Sequence, residues 1–348
     1  MPCYVGLDAS KRSTKICVLD AEGTILKEGA VASEPKAIVG FLRGEGRRYA
    51  RVGMEAWSLA PWLYAGLARA GLPIICIEAR HASAVLKAKR ANKTDRNDAR
   101  GIAEIMRAGI YKTVHIKSAE SQQVRTLLTV RRFLRTKLVD IENAVREALL
   151  VFGPRLRPGA RSTYERRVRK IVGANAILTG CIEPLLSVWK RTLEEMDGLE
   201  LRLKAVAAED PVCRRLMTAP GVGAIVALTY RSAIDEPLRF RSRNVAAHLG
   251  LTPKVDQSGE RDTKGHISKR GDAAARAALF LAARHQLRRR VKPSWLKDWA
   301  DQVAARRGRM KALIAVARRL AVVLHKMWIT GTDFRWTNET AMRAGMQS

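Results

Sequence analysis

Four acidic side chains in the first third of the sequence have a spacing that suits divalent cations. Asp8 closes the apolar run Tyr4-Val5-Gly6-Leu7, Glu55 closes Arg51-Val52-Gly53-Met54, and Asp95 and Asp98 stand three apart in Lys93-Thr94-Asp95-Arg96-Asn97-Asp98-Ala99. Residues at i and i+3 share one face of a helix, and Thr94 is placed to cap its start. If the strands ending in Asp8 and Glu55 lie side by side under that helix, four carboxylates converge. Such a group repels itself unless cations occupy it. Ligands made only of oxygen select Mg²⁺ or Mn²⁺ over zinc, and a pair of such ions can activate a nucleophile and stabilise a leaving oxygen in a phosphodiester. Taken singly, each acid has an ordinary structural reading, as turn chemistry at a strand end or as a first-turn acid favourable to the helix dipole. Their order and combination carry the functional reading.

The charge of the chain indicates its substrate class. Its 348 residues include 64 Lys plus Arg against 33 Asp plus Glu, a formal charge of +31, while 47% hydrophobic content argues for a folded protein and not a basic tail. The excess is spread along the chain, +8 over residues 1–112 and +23 over 113–348, which points to a polyanion. Basic clusters recur at Arg131-Arg132-Phe133-Leu134-Arg135, Arg155-Leu156-Arg157, Arg166-Arg167-Val168-Arg169-Lys170, Arg239 to Arg243, Lys269-Arg270 and Arg288-Arg289-Arg290. Each alone reads equally well as a solvated face; together they suit an extended, salt-sensitive nucleic-acid surface. Gly221 and Gly223, in Ala219-Pro220-Gly221-Val222-Gly223-Ala224, expose backbone amides able to hold a phosphate. Aromatic residues make up 5% of the chain, so base stacking is not expected to dominate binding.

Elements must position these groups. Runs 4–8, 14–19 and 24–28 read as an antiparallel meander, followed by a helix near 35–42, a strand at 51–55, a helix at 60–70 and a strand at 73–77: an α/β sheet with helices packed on it. Apolar positions recurring at threes and fours from Ser118 to Phe152 predict one long amphipathic helix. A second helical region runs from about Tyr164 to Ala208, with an interruption expected near Gly180 and Pro184. The two are expected to pair as an antiparallel arm. The last section opens at Asp210-Pro211 and is mainly helical, apart from a polar loop at 257–266. The fold class is thus α/β plus α, in three parts: 1–112, 113–208 and 209–348.

Several classes fall away. No run of eighteen apolar residues exists, so no membrane span or membrane partner is expected. The opening Met1-Pro2-Cys3-Tyr4-Val5-Gly6 lacks the pattern of a signal peptide, and a cytoplasmic location is expected. Cys3, Cys17, Cys76, Cys181 and Cys213 are scattered and read as core thiols. His81, His115, His248, His285 and His325 are given no role.

The segments around Asp8, Glu55 and Asp95-x-x-Asp98, the glycine hairpin, Leu249-Gly250-Leu251-Thr252-Pro253, Gln257-Ser258-Gly259 and Ile267-Ser268-Lys269-Arg270-Gly271-Asp272 together resemble the DEDD-type insertion-sequence transposases, the group that includes the Piv DNA invertase. The resemblance covers nearly the whole chain in order. It implies an RNase H-like (RuvC-like) N-terminal domain, a helical coiled-coil arm and a C-terminal transposase domain with a nucleophilic serine. Asp8, Glu55, Asp95 and Asp98 would be the Mg²⁺ ligands, Mn²⁺ being an alternative. The partners it implies are donor and target double-stranded DNA and a structured non-coding bridge RNA. It also implies a homo-oligomer, a tetramer built as a dimer of dimers, working at the bacterial nucleoid.

Ser258 is the first candidate for the nucleophile, since its polar, Gly-containing segment could present a hydroxyl to a phosphate. Ser268 is the second, with a helix cap or phosphate contact as its ordinary reading; Lys269 and Arg270 beside it are candidate phosphate contacts. A serine needs a base or a metal to lose its proton. His266 is the nearest imidazole in sequence, so metal assistance across domains is the expected route. Two rivals remain: a hydrolytic junction-resolving endonuclease without the serine step, and a non-catalytic nucleic-acid-binding protein with a degenerate acidic cluster.

Overall fold

The computed structural model describes residues 2–43, 46–80, 82–83, 95–258, 261–288 and 291–337, with backbone alone for 95–97, 255–258 and 261–264. Where the sequence suggests three parts, the chain packs as two compact units, Met1–Lys117 and Ser118–Ser348.

In the first unit, β1 (Cys3–Ala9), β2 (Ser13–Leu19), β3 (Ile25–Ala32), β4 (Tyr49–Glu55) and β5 (Ile74–Ile77) form one sheet in the order β3-β2-β1-β4-β5. The pairs β1–β2 and β2–β3 are antiparallel, and β1–β4 and β4–β5 are parallel. Alternation along the strands gives the sheet two apolar faces. Val5, Leu7, Ile16, Val18, Val52, Met54 and Cys76 pack against α1 (Pro35–Arg43) and α2 (Ala60–Arg69) through Ile38, Leu42, Leu63 and Leu67. On the other face, Cys17, Leu19 and Ile77 meet α3 (Asp95–Ala108) through Ala99, Ala103, Ile102 and Met106.

Glycine decides how close α3 comes. A Cβ on Gly6 would collide with the backbone oxygen of Ala99 and nitrogen of Ala103, and one on Gly53 would lie 2.6 Å from Met106 Cγ. Gly6 and Gly53 are register partners on adjacent strands. The helix therefore lies directly on the two central strands.

In the second unit, α4 (Ala119–Val151) and α6 (Ala176–Glu209) run antiparallel, with Arg131 bonded to Glu200 and the Trp189 indole N–H donated to Glu142. Their far ends enclose a core of Leu138, Val145, Leu149, Ile182, Leu186 and Trp189, to which α5 (Tyr164–Val172) adds Val168. Their near ends send Val124, Leu127 and Leu203 into the main core of the unit, which is why arm and C-terminal section form one body.

The expected interruption at Gly180 and Pro184 falls instead at 173–175. Gly173 takes φ 58°, and Asn175 caps α6 by accepting from the Leu178 amide at 3.0 Å. Pro184 sits inside α6. Proline removes the bond its own nitrogen would give to residue 180 and crowds that carbonyl, and buried Ile182 and Leu186 on either side hold the helix to α4 against this cost.

The main core gathers α7 (Pro211–Met217), α8 (Ala224–Ile234), α9 (Ser242–His248), α10 (Ala273–Gln286), α11 (Trp295–Arg307) and α12 (Arg309–Thr330). Fully buried Tyr230 on α8 donates its hydroxyl to Ala321 O on α12 at 2.7 Å. In the segment 257–266, expected as a loop, residues 257–258 and 261–266 lie in an antiparallel strand pair, β6 (Pro253–Ser258) with β7 (Arg261–Ile267), while 259–260 lie outside the described residues. Four cysteines are buried as expected, but Cys181 is exposed on α6. Burial pushes the Cys213 thiol up to about 12, with a further push from nearby Asp210.

Candidate functional site

The acidic residues occupy one end of one sheet face. Asp8 follows Gly6 by two residues and Glu55 follows Gly53 by two, so strand alternation puts both on the side that α3 covers. Leu7 and Met54 are register partners, which makes Asp8 and Glu55 neighbours at the carboxyl ends of parallel strands. The direction of α3 follows from its contacts. Ala99 and Ala103 lie over Gly6, Met106 O accepts from Arg51 Nη1 at 2.7 Å beside Tyr4, the register partner of Arg51, and Arg107 Nη1 donates to Ala21 O at 3.2 Å, in the turn where β2 has ended. The helix runs away from the Asp8 end, so its first turn, with Asp95 and Asp98, starts there.

Asp8, Glu55 and Asp98 are each half-buried. Cys76, on β5, registers this electrostatic setting: burial and then the charge of Glu55 push its thiol up to about 11. Among the described residues no three His, Cys, Asp or Glu side chains are gathered so as to hold a metal ion. The side chain of Asp95 lies outside the described residues, as does all of Thr94.

Beside the acids a paired patch braces α3. Arg100 makes a two-pronged ion pair with Glu28 on β3, with Arg100 Nη2 donating to Glu28 Oε2 at 2.8 Å. The neighbouring Cys17 thiol is pushed up to about 12, first by burial and then by Glu28. This sulfur stays protonated at neutral pH.

In the second unit, Ser258 ends β6 opposite Arg261; its side chain lies outside the described residues. The root of its hairpin is locked by two glycines of positive φ. A Cβ on Gly250 (φ 70°) would strike Arg270 O, and one on Gly271 (φ 84°) would strike His248 O. Only glycine allows loops 248–250 and 269–271 to interlock this closely. Arg276 Nη1 then serves the carbonyls of Leu249 and Arg270 at 3.0 and 2.9 Å.

Ser268 is half-buried, and its amide donates to Thr252 O at 2.9 Å. It caps no helix. Asp272 caps α10 instead, accepting from the Ala275 amide at 2.9 Å and from Arg125 Nη1 on α4 at 2.5 Å. Lys269 and Arg270 are exposed, and Lys269 takes φ 54°, a conformation rare for a residue with a side chain.

The glycine hairpin divides its labour. Gly221 (φ 80°) lies where a Cβ would be 2.8 Å from Ala282 O of α10, so its role is close packing. Gly223 is exposed, has open space around it and starts α8 without a side-chain cap, which leaves that helix end available to an anion.

Several arginines counted in basic clusters hold the arm together. Arg131 pairs with Glu200 and Arg169 with Glu183, while Arg167 Nη1 donates to Arg157 O at 2.6 Å. Sequence reasoning missed one basic group altogether, because Lys311, Arg318 and Lys326 are spaced at helical intervals along α12 and form no contiguous cluster.

Comparison with known proteins gives this arrangement its family. A profile described as Transposase, of the DEDD IS110 type, matches residues 5–154, and one described as Transposase IS116/IS110/IS902 family matches residues 213–300. The chain is 30% identical over 328 residues to the transposase for insertion sequence element IS1111A of Coxiella burnetii, covering 92% of this chain and 88% of that protein. It is 28% identical to a probable family 20 transposase of Pseudomonas aeruginosa, covering 71% of this chain and 75% of that one. With the transposase for IS1328 of Yersinia enterocolitica it shares 26% identity, covering 70% and 74%. With both profiles in order along the sequence and a relative matched over nearly its full length, the chain belongs to the IS110/IS116 family of insertion-sequence transposases.

Proposed function

We propose that this transposase cuts and rejoins DNA strands through a serine nucleophile, with divalent cations held by Asp8, Glu55, Asp95 and Asp98 and with sequence supplied by a structured RNA. The observation that carries the reading is the placement of Asp8 and Glu55 on one face at the ends of adjacent parallel strands, with the first turn of α3 at the same end. The order β3-β2-β1-β4-β5, antiparallel in its first three strands, supports an RNase H-like sheet. The donor set, all carboxylate oxygen, fits Mg²⁺ or Mn²⁺. When bound, such an ion would neutralise charge on the phosphate and on the departing oxygen.

The chain's own residues do the rest. Ser258 Oγ attacks phosphorus; the Oγ–P bond forms as the bond from phosphorus to one sugar oxygen breaks. The serine proton is lost, and the departing oxygen takes up a proton to leave a free hydroxyl. Attack by another strand's hydroxyl on the phosphoserine reverses the sequence, so bond energy is conserved. The amides at Gly223 and the side chains of Lys269 and Arg270 would hold backbone phosphates. A charge of +31 is suited to binding RNA and DNA together. Assembly as a dimer of dimers belongs to the same reading.

The test mixes the protein and its copurifying RNA with Mg²⁺ and supercoiled DNA bearing the element's junction, followed by a denaturing gel. A protein-linked DNA band in wild type that vanishes in Ser258→Ala supports the reading. A band that persists transfers the role to Ser268. Nicking without any linked band would replace the serine step with hydrolysis by water.

A further inference from the structure

A cleft of about 1010 Å³ lies in the second unit, between one face of α12, the start of α11 and the segment 332–337. Its wall is strongly one-signed. Arg243, Lys311, Arg318, Arg319, Lys326 and Arg335 line it against one acid, Asp333. All six cations are exposed, and none forms an ion pair with a described residue. Elsewhere in this unit arginines such as Arg131, Arg161 and Arg231 are paired with carboxylates. Six like charges against one described carboxylate repel one another, so the arrangement fits a polyanion.

The floor is apolar and aromatic. Ile314, Val322 and Val323 come from α12 between the cations. Half-buried Trp295 and Trp299 stand one helical turn apart on α11, and the Arg319 guanidinium lies 5.5 and 5.3 Å from their ring centroids. Trp295 is fixed by donating its indole N–H to Arg335 O at 2.9 Å and by stacking on Phe334 at 6.0 Å. Indole faces and a guanidinium plane are surfaces on which an unstacked base can lie. A paired duplex hides its base faces and has no use for such a floor.

We propose that this cleft seats an unpaired stretch of nucleic-acid strand, with bases against the Trp295–Arg319–Trp299 group and phosphates against Lys311, Arg318 and Lys326. The inference rests on the reading of the chain as a nucleic-acid-processing protein but not on the serine step. Two other occupants fit poorly. A second copy of the chain would bring the same cations to the same face, and residues 338–348 carry only Glu339 and Arg343 as charged side chains. The cleft also reaches Pro253 and Ile267, the register pair at the root of the hairpin that carries Ser258. A strand held here is delivered to the segment bearing the proposed nucleophile.

The test is fluorescence anisotropy of full-length protein with three labelled probes: a twelve-nucleotide oligothymidine, the matching oligouridine and a duplex of the same length. Trp299→Leu should weaken the single strands about tenfold while changing duplex affinity little, and Trp299→Phe should restore most of the loss. Arg318→Ala with Lys326→Ala should lower the single-strand salt slope by about 1.4, as for two lost phosphate contacts. A preference for uridine assigns the cleft to RNA and one for thymidine to DNA; both support it. Unchanged single-strand affinity in Trp299→Leu and in the double variant overturns the proposal. So does a change in sedimentation without a change in affinity, which would make the cleft a subunit contact. Should Trp299→Leu not fold, the Arg318→Ala with Lys326→Ala variant still decides. The protein-linked band is read separately, so its absence with intact single-strand binding defeats the serine step and leaves the cleft standing.

Discussion

The two units hold their chemically important residues in opposite ways. In the first, Asp8 and Glu55 stand at the carboxyl ends of central strands, directly after the buried runs Val5-Gly6-Leu7 and Val52-Gly53-Met54, and a helix lies on those strands with no side chain between at Gly6. In the second, Ser258 lies on one of two paired strands whose root is held where two loops interlock at Gly250 and Gly271. An isolated hairpin has little stability of its own. Carboxylates that share cations need fixed separations, which a packed sheet supplies. The proposed nucleophile has only the backbone pairing of two strands and the interlocked root to place it.

The largest expected effect attacks the fixed side of this contrast. Gly6→Val places a side chain where Ala99 and Ala103 backbone lies, and backbone cannot move aside as a flexible side chain can. The expected cost is about 3 kcal/mol, the upper part of the range for overpacking, with the first unit melting early and DNA cleavage lost. Calorimetry checks this. A first unit that melts normally would mean that α3 does not sit on β1.

The next effect tests the root of the hairpin. Arg125→Ala removes the cation that Asp272 holds at 2.5 Å while leaving Asp272 to cap α10. Because the Arg125 side chain is 34% exposed, the expected loss is about 1.5 kcal/mol, the low end for a hydrogen bond to a charged group. Hydrogen exchange should quicken at residues 265–272 and stay unchanged in the first unit. Equal protection in both proteins would show that the interlocked glycines hold the root unaided.

Local pattern made much of this legible in the sequence. Strand alternation found β1, β2, β4 and β5, and the apolar stripe with Ser118 and Gly153 bounded α4 almost to the residue. The partnership of the acids was legible because Asp8 and Glu55 each close an apolar run, whereas the role of Gly6 and Gly53, which let a helix lie on both strands, needed the fold. What failed was tertiary. Pro184 and Gly180 are breakers by propensity, but buried residues on both sides keep α6 continuous. The hairpin 253–267 carries polar residues on both strands, so no apolar alternation announced it. The cleft was hidden because its residues come from α9, α11, α12 and the segment beyond, and only packing brings them together.

A smaller effect, graded by pH, belongs to the second unit alone. His325 is fully buried; its Nε2 lies 2.9 Å from Pro237 O and its Nδ1 2.9 Å from Ser242 Oγ. A carbonyl only accepts, so Nε2 carries the proton and Nδ1 accepts from the serine. Burial lowers the His325 pKa below its usual value, against a smaller opposing pull from the Pro237 carbonyl. The unfolded chain therefore binds this proton more readily than the folded one. Stability is full above the unfolded value of about 6.5 and falls as pH drops through the lower folded value, by at most about 1.4 kcal/mol per pH unit. Melting of the second unit should show this dependence, and His325→Gln should flatten it. An equal slope in the variant would assign the proton elsewhere.

The smallest effect reverses the sign of the first. Gly198 is exposed in the interior of α6, with nothing within 4 Å of an added Cβ. Gly198→Ala should stabilise the second unit by about 0.8 kcal/mol, because alanine loses less backbone freedom on entering a helix. For a unit of this size that raises its melting temperature by about 2–3 °C. Adding a side chain at a glycine thus has opposite signs in the two units, according to whether a backbone lies against it. A loss of stability in Gly198→Ala would mean that the exposed side of α6 is covered in solution, and a second copy of the chain lying on the arm would be the cover to look for by sedimentation.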